Sequence, residues 1–200
     1  MRFALLGLYN SGTSTLAGML HRLGANLGPP FWQQRPGHDS KVYEADDLAR
    51  ELRRWWDEPQ LVERVSAPER VAWLRDWIAR QESRTAAATG AKHPLLSLCG
   101  PELATAWGAE TRFIWARRPL EDSIAGLARR GWWPGREVAI QQRLWEALVL
   151  FADSGNRLLT FDWGQVRDDP FETAAALANW LDLRPDAGQL AAAAAFVRTN

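Results

Sequence analysis

The chain has 200 residues, 46% of them hydrophobic, and carries 24 basic and 24 acidic side chains for a formal net charge of zero. That length and apolar content suit one globular domain with a sizeable core, and the balanced charge excludes a global positive field that would recruit nucleic acid or an acidic membrane, so any anion site has to be a local cluster. The single Cys99 excludes an internal disulfide framework and is compatible with a reducing cytoplasm, and the short apolar run that opens the chain passes straight into a glycine loop, unlike a signal peptide or a membrane span.

Phe3 to Leu6 is dense enough for a buried parallel strand. Gly7-Leu8-Tyr9-Asn10-Ser11-Gly12-Thr13-Ser14-Thr15 follows it, with Gly7 and Gly12 at the spacing G-x-x-x-x-G, and Leu16, Leu20 and Leu23 recur at helical spacing behind the loop. Strand, glycine loop and helix in that order aim backbone N–H groups and the positive end of the helix at one anion. Thr13 stands where a triphosphate-binding loop has Lys, so a nucleoside triphosphate would lose its usual cation.

Residues 24–40, with Gly28-Pro29-Pro30 and Pro36-Gly37, form a long irregular loop of the kind that more often serves function than idles. A helix is predicted over 44–56 from Leu48, Leu52, Trp55 and Trp56, stopped by Pro59, and another over 68–83, opened by Pro68 and facing inward with Val71, Leu74, Trp77 and Ile78. A strand is placed over 85–91 because a doubly wound order needs one, although its alanines favour helix. Lys92-His93-Pro94 turns away from it, residues 95–107 are mostly helical with a break or restart at Pro101, and 111–116 is a strand left by Arg117-Arg118-Pro119. Helices are predicted over 119–130 and 136–152 around a loop at 131–135, then a strand over 157–161 ending at Asp162, a helix capped by Asp169-Pro170 that reaches Leu181, and a last helix over 187–197. Trp73, Trp77, Trp145 and Trp180 fall on helix faces and read as core, whereas Trp32, Trp132 and Trp133 lie in loops, as an apolar or sugar-stacking wall or as surface anchors.

Strands alternating with helices imply an α/β fold: a single three-layer P-loop-like domain over 1–200, its central parallel sheet of about four to five strands flanked by helices. Ligands of such sheets bind beyond the carboxyl ends of the strands. The glycine loop, Lys92-His93, Arg117-Arg118 and Asp162 all follow strand ends, so they are expected along one rim.

On these segments, in this order, the chain resembles the sulfotransferase family, especially its bacterial members and the protein-tyrosine sulfotransferases. Asn10, Ser11, Gly12, Thr13, Ser14 and Thr15 are similar to the family loop that holds the 5′-phosphosulfate of 3′-phosphoadenosine 5′-phosphosulfate (PAPS). Val42-Tyr43-Glu44 is similar to a Gly-Tyr-x-Glu segment, and Lys92-His93-Pro94-Leu95-Leu96-Ser97 to a Lys-Asp-Pro-Arg-Leu-Ser segment. Arg117-Arg118-Pro119 resembles the Arg-x-Pro start of the 3′-phosphate site, and Thr160-Phe161-Asp162-Trp163 with Asp169-Pro170 a Tyr-Glu-Asp-Leu and Asp-Pro pair.

The resemblance implies transfer of a sulfuryl group from PAPS to a hydroxyl acceptor by in-line displacement, with 3′-phosphoadenosine 5′-phosphate (PAP) as product and no metal. Lys92 would steady charge on the leaving phosphate. Glu44 or His93 would take the acceptor proton, the family carboxylate at Glu44 being slightly favoured. Arg117 would hold the 3′-phosphate; the Ser expected eight positions later falls on Ala125, with Ser123 as the substitute. Asn10 stands where the family has Lys or Arg, so either another cation compensates, Lys92 first among them, or activation of the phosphosulfate is weakened. The expected partner is a small-molecule or glycan acceptor, not nucleic acid, in a cytoplasmic protein whose oligomeric state the sequence leaves open. The rival readings are a nucleotide kinase or NTPase with Asp162 ending a Walker B-like strand, and a catalytically degenerate nucleotide-binding protein of the same fold.

Overall fold

In the computed structural model, which describes residues 1–34, 40–57, 60–83 and 86–197, the chain begins with β1 (Arg2–Gly7), α1 (Thr13–Arg22) and α2 (Asp46–Trp55). A small antiparallel pair, β2 (Trp56–Asp57) and β3 (Val62–Glu63), precedes α3 (Ala67–Glu82), β4 (Thr89–Lys92), a 3₁₀ turn (Pro94–Leu98) and α4 (Gly100–Trp107). Then come β5 (Arg112–Arg117), α5 (Leu120–Arg129), α6 (Glu137–Ala152), β6 (Leu158–Asp162), α7 (Trp163–Asp168), α8 (Pro170–Trp180) and α9 (Ala187–Phe196).

The strands β4, β1, β5 and β6 lie side by side in that order, all parallel. Phe3, Ala4, Leu5 and Leu6 are each 0% exposed, because helices cover both faces. Alternation then divides β1 between two cores. Ala4 and Leu6 join Leu48, Leu52, Leu144 and Leu148 from α2 and α6, while Phe3 and Leu5 join Leu16, Leu20, Leu177 and Ala193 from α1, α8 and α9. The three layers expected of an α/β chain are therefore present, with four strands in the parallel sheet.

The path from β1 to β4 runs one way along the sheet, and the path from β4 to β5 runs back across β1. The reversal opens a crevice beyond the carboxyl ends of β1 and β5, where ligands of such sheets bind. Gly7 and Arg117, the last residues of these two strands, deliver the glycine loop and Arg118 to that crevice.

Several elements differ from their predicted bounds. The strand predicted over 85–91 is shorter, Thr89–Lys92, with Thr85 outside the described residues. Its small residues serve close approach: a Cβ on Gly90 would lie 2.1 Å from the Phe3 carbonyl oxygen, so β4 can pair with β1 only without a side chain there. The helix predicted to end at Trp56 stops one residue earlier, where Trp56 turns extended to pair with Glu63 and keeps its indole in the core. The helical stretch 95–107 divides into the 3₁₀ turn and α4, with Pro101 in the first turn of α4. The six-residue α7 went unpredicted, too short to show a period. Pro36-Gly37 and Pro59 lie outside the described residues.

Candidate functional site

The glycine loop is shaped by its own backbone and by two side chains from elsewhere. Ser11 donates its N–H (3.3 Å) and its Oγ (2.9 Å) to the Leu8 carbonyl, so that hydroxyl is committed inside the loop. Ser97 Oγ accepts from the Gly7 N–H and donates to the Gly7 carbonyl, both at 3.1 Å, pinning the start of the loop to the turn after β4. Gln141 on α6, fully buried, donates from Nε2 to the Tyr9 carbonyl (2.7 Å) and the Ser123 carbonyl (3.0 Å). Asn10 takes a left-handed backbone at φ 60°, which Asn tolerates better than most residues. Gly12, at φ 94°, precedes α1, and among the described residues no side chain caps that helix, whose N-terminal N–H groups are of the kind that meet an anion.

Facing this loop are the residues that follow β4. Lys92 Nζ donates to Ser14 Oγ at 3.1 Å and to Glu44 Oε1 at 2.7 Å, with Lys92 2% and Glu44 10% exposed at the side chain. Glu44 arrives from far away in sequence because residues 30–32 pair with it: the Trp32 N–H donates to the Glu44 carbonyl (2.6 Å) and the Asp46 N–H to the Pro30 carbonyl (2.9 Å). Tyr43, at φ 53°, points the opposite way into the core, where Arg22 Nη1 donates to its hydroxyl at 2.9 Å.

His93 completes the group. The Leu95 N–H donates to His93 Nδ1 at 3.1 Å, so the ring proton belongs on Nε2, which faces Glu44 Oε2 at 3.6 Å. Burial lowers the His93 pKa to about 4 despite the nearby carboxylate, and His93 is neutral at neutral pH. Glu44 sits below the usual carboxylate range: burial pushes it up, and Lys92, His93 and Arg53 together outweigh that.

These groups share one cavity of about 1060 Å³. Its wall holds the loop from Tyr9 to Thr15 except Ser11, with Glu44, Lys92, His93 and Arg118. Trp32 with Arg53 forms one lip; Trp132, Trp133 and Arg130 form another. Tyr9 packs edge-on against Trp133 with centroids 5.1 Å apart, and Arg53 lies 4.5 Å over the Trp32 ring. Lys41, Arg53, Lys92, Arg118 and Arg130 stand against the single carboxylate of Glu44, so a chain of zero net charge concentrates cations here among the described residues.

Of the residues singled out from sequence, Asn10, Gly12, Thr13, Ser14, Thr15, Glu44, Lys92 and His93 come together. Three lie apart from the cavity lining. Ser11 is turned into its loop. Arg117 makes a bidentate pair with Asp162, its register partner on β6, at 2.6 and 2.8 Å, with both side chains about half exposed. Ser123 is fully buried, its Oγ without a hydrogen-bond partner among the described residues. The sequence places Arg117-Arg118 on the rim but gives the phosphate role to Arg117, and it assigns no role to Gln141 or to Trp163, whose ring lies so close to Gly12 that a Cβ there would be 2.5 Å from it. Arg117 and Arg118 leave β5 side by side, and Arg118 lines the cavity while Arg117 pairs with Asp162, its register partner. For Gln141, one polar residue on a long amphipathic helix gave no signal.

The chain has the fold of the sulfotransferases. It matches sulfotransferase STF9 from Mycobacterium avium over its whole length and 68% of that chain, at TM-score 0.59 and 14% identity. It matches the sulfotransferase domain of the Synechococcus PCC 7002 olefin synthase at TM-score 0.57 and 15% identity, over 95% of this chain and 76% of that one. A sugar kinase from Janibacter sp. HTCC2649 also shares the fold, at TM-score 0.51 and 16% identity, over 92% and 95% of the two chains. No protein-family model and no curated protein sequence matches the chain. Among the described residues no helix is long and apolar enough to cross a membrane, and no cluster of His, Cys, Asp and Glu could hold a metal.

Proposed function

We propose that this protein is a sulfotransferase, moving a sulfuryl group from PAPS to a hydroxyl on a small-molecule or glycan acceptor. The observation that carries this reading is Lys92, a buried ammonium bridging the glycine loop at Ser14 and the carboxylate of Glu44. It sets a cation and a carboxylate in direct contact beside the glycine loop, so both lie next to a group bound there. The acceptor oxygen forms a bond to sulfur while the bond from sulfur to the 5′-phosphate oxygen breaks. Lys92 steadies the charge arriving on that phosphate oxygen, and the acceptor proton passes to Glu44.

Between the two candidate bases the hydrogen bonds favour Glu44. His93 has its only lone-pair nitrogen occupied by the Leu95 N–H, so it is a positioning residue that aims its Nε2 proton at Glu44. Held by Lys92, Glu44 is a weak base; an anion at the loop draws the ammonium towards itself and restores the basicity of the carboxylate. Donor binding thus readies the base.

The kinase reading has the Janibacter neighbour in its favour, but Asp162, which would hold Mg²⁺, is taken up by Arg117, and Thr13 occupies the lysine position. Calorimetry decides between them. PAP binding without Mg²⁺, together with labelled-sulfate transfer from PAPS to a panel of sugar and small alcohols, is the expected result. Binding of Mg-ATP with none of PAP would overturn the proposal, and PAP binding without transfer to any acceptor would leave the degenerate binding protein in its place.

A further inference from the structure

A loop that holds a phosphosulfate needs positive charge at its mouth, and residues 7–15 contain none. Lys92 reaches the loop at Ser14 but is shared with Glu44. At the other end stands Arg118, whose Nη1 donates to the Asn10 carbonyl at 3.2 Å and whose Nε lies 3.8 Å from Asp122 Oδ2. Arg118 Nε and Asn10 Nδ2 are both buried with no hydrogen-bond partner among the described residues. Arg118 and Asn10 line the same cavity, so a guanidinium and an amide stand beside the phosphate cradle. Unpaired buried donors are unfavourable until an acceptor arrives, and an anionic oxygen is the acceptor that suits a guanidinium best.

Position 10 itself carries no charge, and α5 lies close by, since a Cβ on Gly126 would come within 3.2 Å of the Asn10 Cβ. The cation therefore comes from a neighbouring strand end, and Arg118 is the residue that β5 delivers there.

We infer that Arg118 is the ligand of the 5′-phosphosulfate group, taking over the role for which position 10 carries no charge. The inference rests on the donor reading above. The guanidinium supplies a fork to two oxygens on the 5′ side of the nucleotide, and the Asn10 amide donates to a third.

The test is calorimetric titration of wild type, Arg118→Met, Arg118→Lys and Arg118→Met/Asn10→Lys with two probes, PAP and adenosine 5′-phosphosulfate. The second probe carries the phosphosulfate and lacks the 3′-phosphate. Arg118→Met is expected to weaken both probes by the same factor, roughly 10- to 100-fold, with Arg118→Lys in between and the cation added by Asn10→Lys restoring part of the loss. Weakening of PAP alone would assign Arg118 to the 3′-phosphate and overturn the inference, as would equal affinities in all four proteins. Arg118→Lys keeps the charge and the long side chain, so its intermediate affinity, measured at an unchanged melting temperature, separates binding from misfolding. If the unmodified protein binds neither probe, the donor reading fails and the inference falls with it; if it binds both and Arg118→Met changes nothing, only the inference fails.

Discussion

Replacing Lys92 by Met tests the centre of the site through stability alone. The substitution keeps the length of a side chain 2% exposed and removes the ammonium 2.7 Å from Glu44 Oε1. Glu44 is left buried beside a His93 whose pKa of about 4 makes it neutral at pH 7. Removing one partner of a buried pair costs about 3 to 5 kcal/mol, which for a chain of this size lowers the melting temperature by roughly 6 to 20 °C. The cost depends on pH in a definite sense. In the native protein the Glu44 pKa lies below its ordinary value, so the pair contributes fully above the unfolded carboxylate pKa and its contribution is lost as pH falls through the lowered value. In the variant, burial, the largest influence on this carboxyl, is no longer offset by Lys92 and raises its pKa, so the penalty shrinks as pH falls. Urea denaturation followed by fluorescence of the 12 tryptophans, at pH 7 and pH 5, reads both effects. Lys92→Met/Glu44→Gln, which removes both charges, is expected to recover most of the loss at pH 7. A cost below about 1 kcal/mol that is the same at both pH values would refute the picture of a buried, charged pair.

Glu44→Gln is expected to lower kcat for sulfuryl transfer by about 10²- to 10⁴-fold, the range of a lost general base. PAP affinity in the same variant stays equal or rises, since Lys92 loses its competing carboxylate; binding assays beside the transfer assay check this. His93→Gln should flatten the pH dependence of stability between about pH 6.5 and pH 4. Across that window the unfolded imidazole binds a proton and the buried one does not, so the native protein loses stability as pH falls, by up to about 3 kcal/mol. Asp162→Asn breaks a bidentate pair, but with Arg117 46% and Asp162 54% exposed it should change unfolding free energy by less than about 1 kcal/mol in denaturant titrations.

The sequence by itself determined the fold class and most of the rim. Phe3 to Leu6 reads as a buried strand, the glycine spacing after it as a turn into a helix, and Lys92-His93 and Arg117-Arg118, which follow strand ends, as residues along one edge of a parallel sheet. These follow from local rules, since period, turn chemistry and strand direction depend on residues close in the chain. Tertiary structure alone decided which of the rim residues meet. Glu44 reaches Lys92 because residues 30–32 pair with the start of α2, and Arg118 rather than Arg117 faces the loop because the β5–β6 register puts Arg117 opposite Asp162. The tautomer of His93 turns on one backbone N–H, that of Leu95, and the clamp on the loop comes from Gln141, 132 positions from the Tyr9 carbonyl it holds. Such contacts depend on how helices and strands pack at ångström precision, and no periodicity in the chain records that.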